Sequence, residues 1–349
     1  MQVKYGAWLS GALLAGIALI APAQAQGDLT VVSWGGAYQD AQRKVFFEPF
    51  KREAGVNLKE ESWDGGVGVI RSREEARDPG WDVVQVETGD ILLGCEEGLF
   101  ERLDWSKLGG RGAYLPSAAQ DCGVAAILVN EGIAYDRDKL KTPPAGWADF
   151  FDTAKFPGKR ALRLHPVVAL TGALLADGVA PLDVTNTLST KDGQDRAFRK
   201  LETIKKDLVF WKAGAQPPQL LASGEVVMTT SYNGRMDAAN RNDRRNFGFV
   251  WNGSVGTYDY WVILRNSPRK EAAYKYLEFI NRPAVQAKLP GEIAYGIVRT
   301  DAQPLIDPKR LPDIPSAPQN VSVSVTQDLQ FWLENNDRLT ERLQNWASR

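Results

Sequence analysis

The feature that most limits the fold of this chain is an alternation of strand-like and helix-like segments near its N-terminus. Residues 29–34, 56–63 and 81–86 are short, mostly apolar runs typical of strands, while residues 39–53 and 91–97 are helix-like, the first with its apolar side chains at helical spacing. Parallel strands need a long crossover between them, which is usually a helix. The order therefore predicts an α/β fold built on mainly parallel sheets flanked by helices.

A second stretch, FGFVWNGSVGTYDYWVIL at residues 247–264, predicts two apolar strands around a polar, glycine-bearing turn. We interpret it as a crossing between two lobes and as part of the floor of a binding cleft. Residues 122–130 (CGVAAILVN) are a further apolar strand and predict the first crossing. We therefore expect two lobes, each with its own sheet. The first would comprise residues 26–125 and 258–302, and the second residues 126–257 and 303–349.

The first 25 residues have the pattern of a signal peptide. Lys4 supplies a positive charge, residues 7–20 are mostly apolar, and Ala23-Gln24-Ala25 is a small-x-small cleavage sequence. The apolar run is short for a transmembrane span, so we expect cleavage after Ala25 and export to the periplasm. The alternative is that the segment is retained as an N-terminal anchor.

Charge and cysteine content exclude several classes of partner and site. The 349 residues carry a net charge of −1 at pH 7 without a block of like charge, whereas nucleic acids and anionic membranes require a concentrated basic face. The pair Cys95 and Cys122 predicts a disulfide in an exported protein, with two unpaired buried thiols as the alternative. Two cysteines are too few for a closed zinc site, so we predict no metal and no cofactor.

Motifs for catalysis are weak in this sequence. His165 precedes a proline at a strand end and has no G-x-S-x-G motif to serve, so a structural or rim histidine is the simpler interpretation. The glycine-rich turn at residues 65–68 lacks the Lys-Ser/Thr of a P-loop, and no spacing of acids singles out a catalytic pair. We therefore predict that the protein is not an enzyme. A secreted hydrolase is the alternative, and it would need a catalytic pair.

The most informative polar residues follow the predicted strands. Parallel sheets bind ligands beyond the carboxyl ends of their strands, and here these ends carry aromatic rings or carboxylates. A carboxylate beside a ring suits an alkylammonium ligand, because ion pairing and a cation–π contact act together. Each acid could instead belong to a solvated face, and each ring could fill a core. The predicted cleft residues are Trp34, Trp63, Asp64, Glu87, Thr88, Tyr232, Asn233, Tyr258 and Asp259.

Several segments together resemble one protein family. They include VVSWGGAYQD at residues 31–40, CGVAAILVNEGIAYD at residues 122–136 and WNGSVGTYDYWVIL at residues 251–264. Over essentially the whole mature chain, the sequence is similar to the solute-binding proteins of ABC importers, in the spermidine/putrescine-binding branch. The resemblance implies a two-lobed periplasmic-binding-protein fold whose cleft closes on its ligand. It also implies a monomer that delivers this ligand to an inner-membrane ABC permease.

The resemblance implies a polyamine such as putrescine or spermidine as the ligand. Trp34 matches an aromatic of the family's pocket, and Asp259 matches its amine-binding aspartate. The chain departs from the pattern after ALRL at residues 161–164, where polyamine binders carry acidic residues and this chain has His165-Pro166.

Two further ligands are kept as alternatives. Arg163 and Arg235 are expected near the cleft, and an arginine there would suit the carboxylate of a zwitterion such as γ-aminobutyrate. Arg163 is therefore added to the predicted ligand contacts. The second alternative is ferric ion, which related proteins bind with neighbouring tyrosines. We expect Tyr258 and Tyr260 to point to opposite faces of their strand, which would disfavour it.

Overall fold

The computed structural model describes residues 1–3, 28–76 and 80–349. Apart from residues 1–3, the predicted signal peptide lies outside these described residues. The strands are β1 (Leu29–Ser33), β2 (Leu58–Ser62), β3 (Val83–Glu87), β4 (Gly123–Asp136), β5 (Arg160–Arg163), β6 (Leu208–Trp211), β7 (Met228–Tyr232), β8 (Phe247–Ile263) and β9 (Val325–Thr326).

Helices connect these strands as the alternation predicts. A first helical segment runs from Gly36 to Ala54 through a π-helical turn at Arg43–Phe47, and it ends at Gly55, whose φ of 63° permits the left-handed C-cap. The α-helices are α1 (Gly36–Gln42), α2 (Glu48–Ala54), α3 (Val67–Glu75), α4 (Thr88–Glu96), α5 (Trp147–Phe151), α6 (Pro166–Ala176), α7 (Val184–Leu188), α8 (Lys191–Glu202), α9 (Gln216–Ser223), α10 (Asn233–Asn242), α11 (Lys270–Ile280), α12 (Pro283–Gln286), α13 (Leu289–Glu292), α14 (Pro318–Val321) and α15 (Leu329–Ala347). Short 3₁₀ turns lie at Arg111–Ala113, Pro116–Ala118, Pro181–Asp183, Lys205–Asp207, Thr300–Leu305 and Pro308–Asp313.

The described strands form one continuous mixed sheet in the order β2-β1-β3-β8-β4-β7-β5-β6, with β9 added to β8. The pairs at both ends of the sheet are parallel, which confirms the predicted α/β class. In the middle, β8 runs antiparallel to both β3 and β4, and β4 runs antiparallel to β7. The two long strands β4 and β8 therefore join the parallel halves, where two separate sheets were expected.

The prediction of two strands around a turn at residues 247–264 is wrong. The stretch is the single strand β8, which pairs with β4 along almost its whole length. The polar residues that suggested a turn form an irregularity instead, because pairing steps from Val255 to Val250 while β4 advances only from Glu131 to Ile133. Gly253, with a φ of 73°, accommodates this bulge.

Two main hydrophobic cores lie along this sheet. The N-terminal strands and α11 share a core with residues 124–127 and Val129 of β4 and residues 260–263 of β8. A second core receives Ile133 and Tyr135 of β4, Val255 of β8, and apolar residues of α6, α8 and α15. Since β4 and β8 each contribute to both cores, they are the crossings between them. The lobe boundaries given above stay predictions.

The disulfide between Cys95 and Cys122 is present, with the two Cα atoms 5.7 Å apart. It ties the end of α4 to the start of the crossing strand β4. Among the described residues, every helix is too short or too polar to span a membrane.

Candidate ligand-binding cleft

A cavity of about 440 Å³, measured with its opening, lies between the ends of strands from both halves of the sheet. Seven of the predicted cleft residues line it: Trp34, Trp63, Asp64, Glu87, Arg163, Tyr232 and Asp259. Arg235, which the sequence analysis expects near the cleft, also lines it. The structure adds residues that the sequence prediction had not named: Tyr38, Val129, Lys212, Ala213, Gly214 and Tyr295. The cavity therefore combines rings with charges of both signs.

One wall of the cavity is aromatic. The rings of Trp34 and Trp63 are stacked, with centroids 5.4 Å apart and an interplanar angle of 11°. The indole N–H of Trp63 donates to the carbonyl of Gln85, which fixes that ring against β3. The indole N–H of Trp34 is buried without a well-formed hydrogen bond in the described part of the chain, and it lies close enough to Asp259 to lower the pKa of that carboxyl group. Such a stacked pair presents a flat face to an apolar or cationic group.

Asp259 supplies a carboxylate at the cavity floor. It is only 8 % exposed and lies on β8 opposite Glu87 of β3. Burial, together with the negative charge of Glu87, raises the pKa of Asp259 to about 8, although Arg163, Trp34 and Arg235 act in the opposite direction. A cation placed beside Asp259 would therefore favour the charged form of its carboxyl group.

The negative charge of Glu87, in contrast, is already compensated by a neighbouring cation. Its carboxylate lies 2.7 Å from the guanidinium of Arg163, and the hydroxyl of Tyr232 donates to it at 3.3 Å. Burial would raise the pKa of Glu87, but the charge of Arg163 outweighs it and holds this pKa below its ordinary value. His165 itself has its pKa lowered to about 4 by burial and by Arg163, so it is neutral at physiological pH. The Glu87–Arg163 pair joins β3 to β5 across the cleft.

Arg235 is the second buried cation of the cavity. It is 3 % exposed and lies in the first turn of α10. Its guanidinium donates to the carbonyls of Gly35 at 2.9 Å and Trp34 at 3.2 Å, and its Nε has no hydrogen-bond partner among the described residues. A Cβ at Gly36 would lie 2.8 Å from Arg235 Nη1, so the glycine makes room for this contact.

Three predicted contacts lie outside this cavity. Thr88 donates to the carbonyl of Tyr258 and lines a neighbouring chamber instead. Asn233 is buried, accepts from the amide of Asn130 and donates to the carbonyl of Ala294. Asn233 therefore joins chain segments. Tyr258 packs beside the core and follows the alternation of β8, which places it on the opposite face from Asp259.

The expectation that Tyr258 and Tyr260 point to opposite faces is wrong. Residues two apart in a strand share a face, and the two ring centroids are 6.1 Å apart. The hydroxyl of Tyr260 donates to the carbonyl of Ser117, away from the cavity. Within the described residues, no group of three or more histidine, cysteine, aspartate or glutamate side chains is placed to hold a metal ion.

Residues 46–316 match the family model described as bacterial extracellular solute-binding protein. The chain is 39 % identical to a γ-aminobutyric acid-binding protein of Pseudomonas aeruginosa, over 99 % of this chain and 98 % of that protein. It is 23 % identical to a spermidine/putrescine-binding periplasmic protein of Escherichia coli, over 75 % and 76 % of the two chains.

Among solved structures, the chain is similar to a GABA receptor with a TM-score of 0.79 and 33 % identity, over 92 % of this chain and 98 % of that chain. The chain is also similar to the PBP MotA of A. tumefaciens, with a TM-score of 0.85 and 29 % identity over 92 % of this chain and 99 % of that chain, which confirms the periplasmic-binding-protein fold that the sequence resemblance implies. This likeness also agrees with the match to the family model, which extends over more than half of the chain. The chain therefore belongs to the family of bacterial extracellular solute-binding proteins.

Proposed function

We propose that the protein binds a zwitterionic amino compound, with γ-aminobutyrate as the leading candidate, in the cavity between the two cores. The observation that carries this proposal is the balance of buried charge around the cavity. Glu87 is paired with Arg163, which leaves Asp259 and Arg235 as one buried acid and one buried base. A ligand with one ammonium and one carboxylate complements this pair, because each of its charges meets an opposite one.

The same balance disfavours a diamine. Putrescine would bring two positive charges into a cavity where Asp259 is the buried acid without a close cationic partner. Burying an unpaired ammonium is costly. The relative that binds γ-aminobutyric acid is also more similar to this chain than the one that binds spermidine and putrescine. The zwitterion is therefore better supported than the polyamine that the sequence resemblance implies.

Contacts across the cleft indicate how the ligand would be retained. Arg163, Tyr232 and Arg235 come from the segment between the two crossing strands, and they bond to Glu87, Trp34 and Gly35 of the N-terminal segment. In this family, the two lobes close around the ligand by a hinge motion, and the permease then binds the closed form. We place the protein in the periplasm, as a monomeric binding component of an ABC importer without catalytic activity.

A ligand panel tests the proposal directly. We expect γ-aminobutyrate to raise the melting temperature of the mature protein, since a ligand at 100 times its Kd adds about 2.7 kcal/mol to the free energy of unfolding. Putrescine, spermidine, glutamate and ferric citrate serve as comparison ligands, and bound ligand is removed first by unfolding and refolding. A shift with the diamines alone would contradict the proposal and restore the polyamine.

The aromatic wall gives a second prediction. Replacing Trp34 with leucine is expected to weaken γ-aminobutyrate binding by about 2- to 30-fold, because a cation–π contact contributes roughly 0.5–2 kcal/mol. Trp34→Phe keeps a ring and should lose less affinity. Calorimetric titration measures both, with Trp105→Phe as a control since Trp105 packs on Tyr114 outside the cavity. Equal affinities for the wild type and Trp34→Leu would place the ammonium elsewhere.

A further inference from the structure

A second chamber of about 620 Å³, measured with its opening, lies behind the Glu87–Arg163 pair. It shares Glu87, Arg163 and Tyr232 with the first cavity, so these three side chains border both spaces. The rest of its lining comes from β4, β8 and the starts of α4, α6 and α15, including Asp90, Glu131 and Trp332. The chamber is therefore built from both halves of the protein.

Glu131 is the unusual residue of this chamber. It lies inside the apolar strand β4 and is only 3 % exposed. Its Oε2 is 3.9 Å from Arg163, and its Oε1 has no hydrogen-bond partner in the described part of the chain. A buried carboxylate oxygen without a hydrogen-bond partner lowers the stability of the fold, which suggests that a ligand supplies the partner.

Acidic side chains outnumber basic ones around the chamber. Glu87, Asp90 and Glu131 line it together with Arg163 and with His165, which is neutral. Arg163 is already engaged by Glu87, and Asp90 accepts hydrogen bonds from the uncharged amides of Gly66 and Val67. In this respect the chamber differs from the first cavity, where acids and bases are matched.

We propose that the second chamber is a subsite for an organic cation, an ammonium or guanidinium group held by Glu131 and Asp90 with the Trp332 ring as one wall. The absence of a metal-binding group among the described residues argues for an organic cation over a metal ion. The combination of carboxylate and indole repeats the chemistry of Asp259 and Trp34. The cation is either a free alkylammonium or the basic end of a ligand whose zwitterionic head occupies the first cavity, and the second case rests on the proposed function.

Two calorimetric titrations distinguish these sources. In the first, n-butylammonium chloride is titrated into protein saturated with γ-aminobutyrate, and binding there indicates a free cation. In the second, L-lysine is compared with L-norleucine, which lacks only the side-chain ammonium. At least tenfold tighter binding of lysine indicates a tethered cation, because a charge-assisted bond accounts for a tenfold or greater difference.

Variants of the chamber decide whether the signal arises there. Glu131→Gln is expected to weaken cation binding at least tenfold. Asp90→Asn provides a second test if the first variant folds poorly. Glu271→Gln, an exposed acid of α11, is the matched control and should leave cation binding unchanged. Thermal unfolding confirms that each variant is folded.

Three results would overturn the subsite. The first is the absence of cation binding in both titrations. The second is a cation signal that Glu131→Gln and Asp90→Asn leave intact. The third is a Glu131→Gln variant that loses cation and γ-aminobutyrate binding equally, since Glu131 would then act only through Arg163. Failure of γ-aminobutyrate to bind the wild type would contradict the proposed function alone, because n-butylammonium titrated without it still tests the chamber.

Discussion

Replacing Asp259 with asparagine is expected to weaken γ-aminobutyrate binding by more than tenfold. The carboxylate is buried on β8, and the amide that replaces it keeps its size but cannot carry the charge that an ammonium needs. Hydrogen bonds to charged groups contribute roughly 1.5–3 kcal/mol, and every 1.4 kcal/mol changes the affinity tenfold. Calorimetric titration of both proteins measures the loss. Unchanged affinity would remove Asp259 from the ammonium site.

The pH dependence of binding provides a sharper signature of Asp259. Because its pKa is raised to about 8, the free protein carries a largely neutral carboxyl group below that pH, and binding an ammonium requires this proton to leave. The affinity should therefore rise as the pH increases from 6 toward 8, by up to tenfold per pH unit. Glu131 and Asp90 titrate near pH 7 in the second chamber, where burial raises both pKa values.

Asp259→Asn separates these contributions. It should flatten the part of the pH profile that belongs to Asp259 and leave any part that arises from Glu131 and Asp90. A variant with the same slope as the wild type would show that Asp259 does not release the proton, which would contradict its role as the ammonium site.

Much of the fold follows from local sequence pattern. The predicted N-terminal strands lie within two residues of β1, β2 and β3, because short apolar runs between helices have few other ways to be buried. The error at residues 247–264 has a physical cause. Asn252, Gly253 and Ser254 are typical turn residues, but pairing with β4 absorbs them as a bulge, and no local signal in β8 records the partner strand.

The cleft could be predicted only in part, for a similar reason. Glu87 was found because it follows the strand-end pattern of parallel sheets. Asp259 was found through the family resemblance, since it lies inside the antiparallel strand β8 and not at a strand end. Tyr295 and Lys212 lie in irregular segments that only the folded chain brings to the cavity. Glu131 could have been found from the sequence, because it interrupts the apolar run of β4. An acid inside an apolar strand predicts a buried carboxyl group. Arg163 was expected from the resemblance, but its partner Glu87 emerges only from the folded structure.

The largest loss of affinity is expected from Arg235→Met. Arg235 would pair with the ligand carboxylate, and it already donates to the carbonyls of Gly35 and Trp34 across the cleft. Methionine keeps part of the apolar stem but loses both roles, and truncating one partner of a buried, hydrogen-bonded charge pair costs roughly 2–5 kcal/mol. We therefore expect γ-aminobutyrate affinity to fall by about 30-fold to several thousandfold.

Two further variants serve as the partial rescue and the control for Arg235→Met. Arg235→Lys keeps the charge but not the planar fork, so it should recover only part of the affinity. Arg241→Met changes an arginine on the outer side of the same helix, where it bonds to Asp237 and Gly291, and should leave calorimetric binding near the wild-type value. If Arg235→Met binds as tightly as the Arg241→Met control, the carboxylate anchor must be another cation of the cavity. That cation would be the exposed Lys212, or it would be Arg163 after leaving Glu87, in which case Glu87 would become the acid that faces the ammonium.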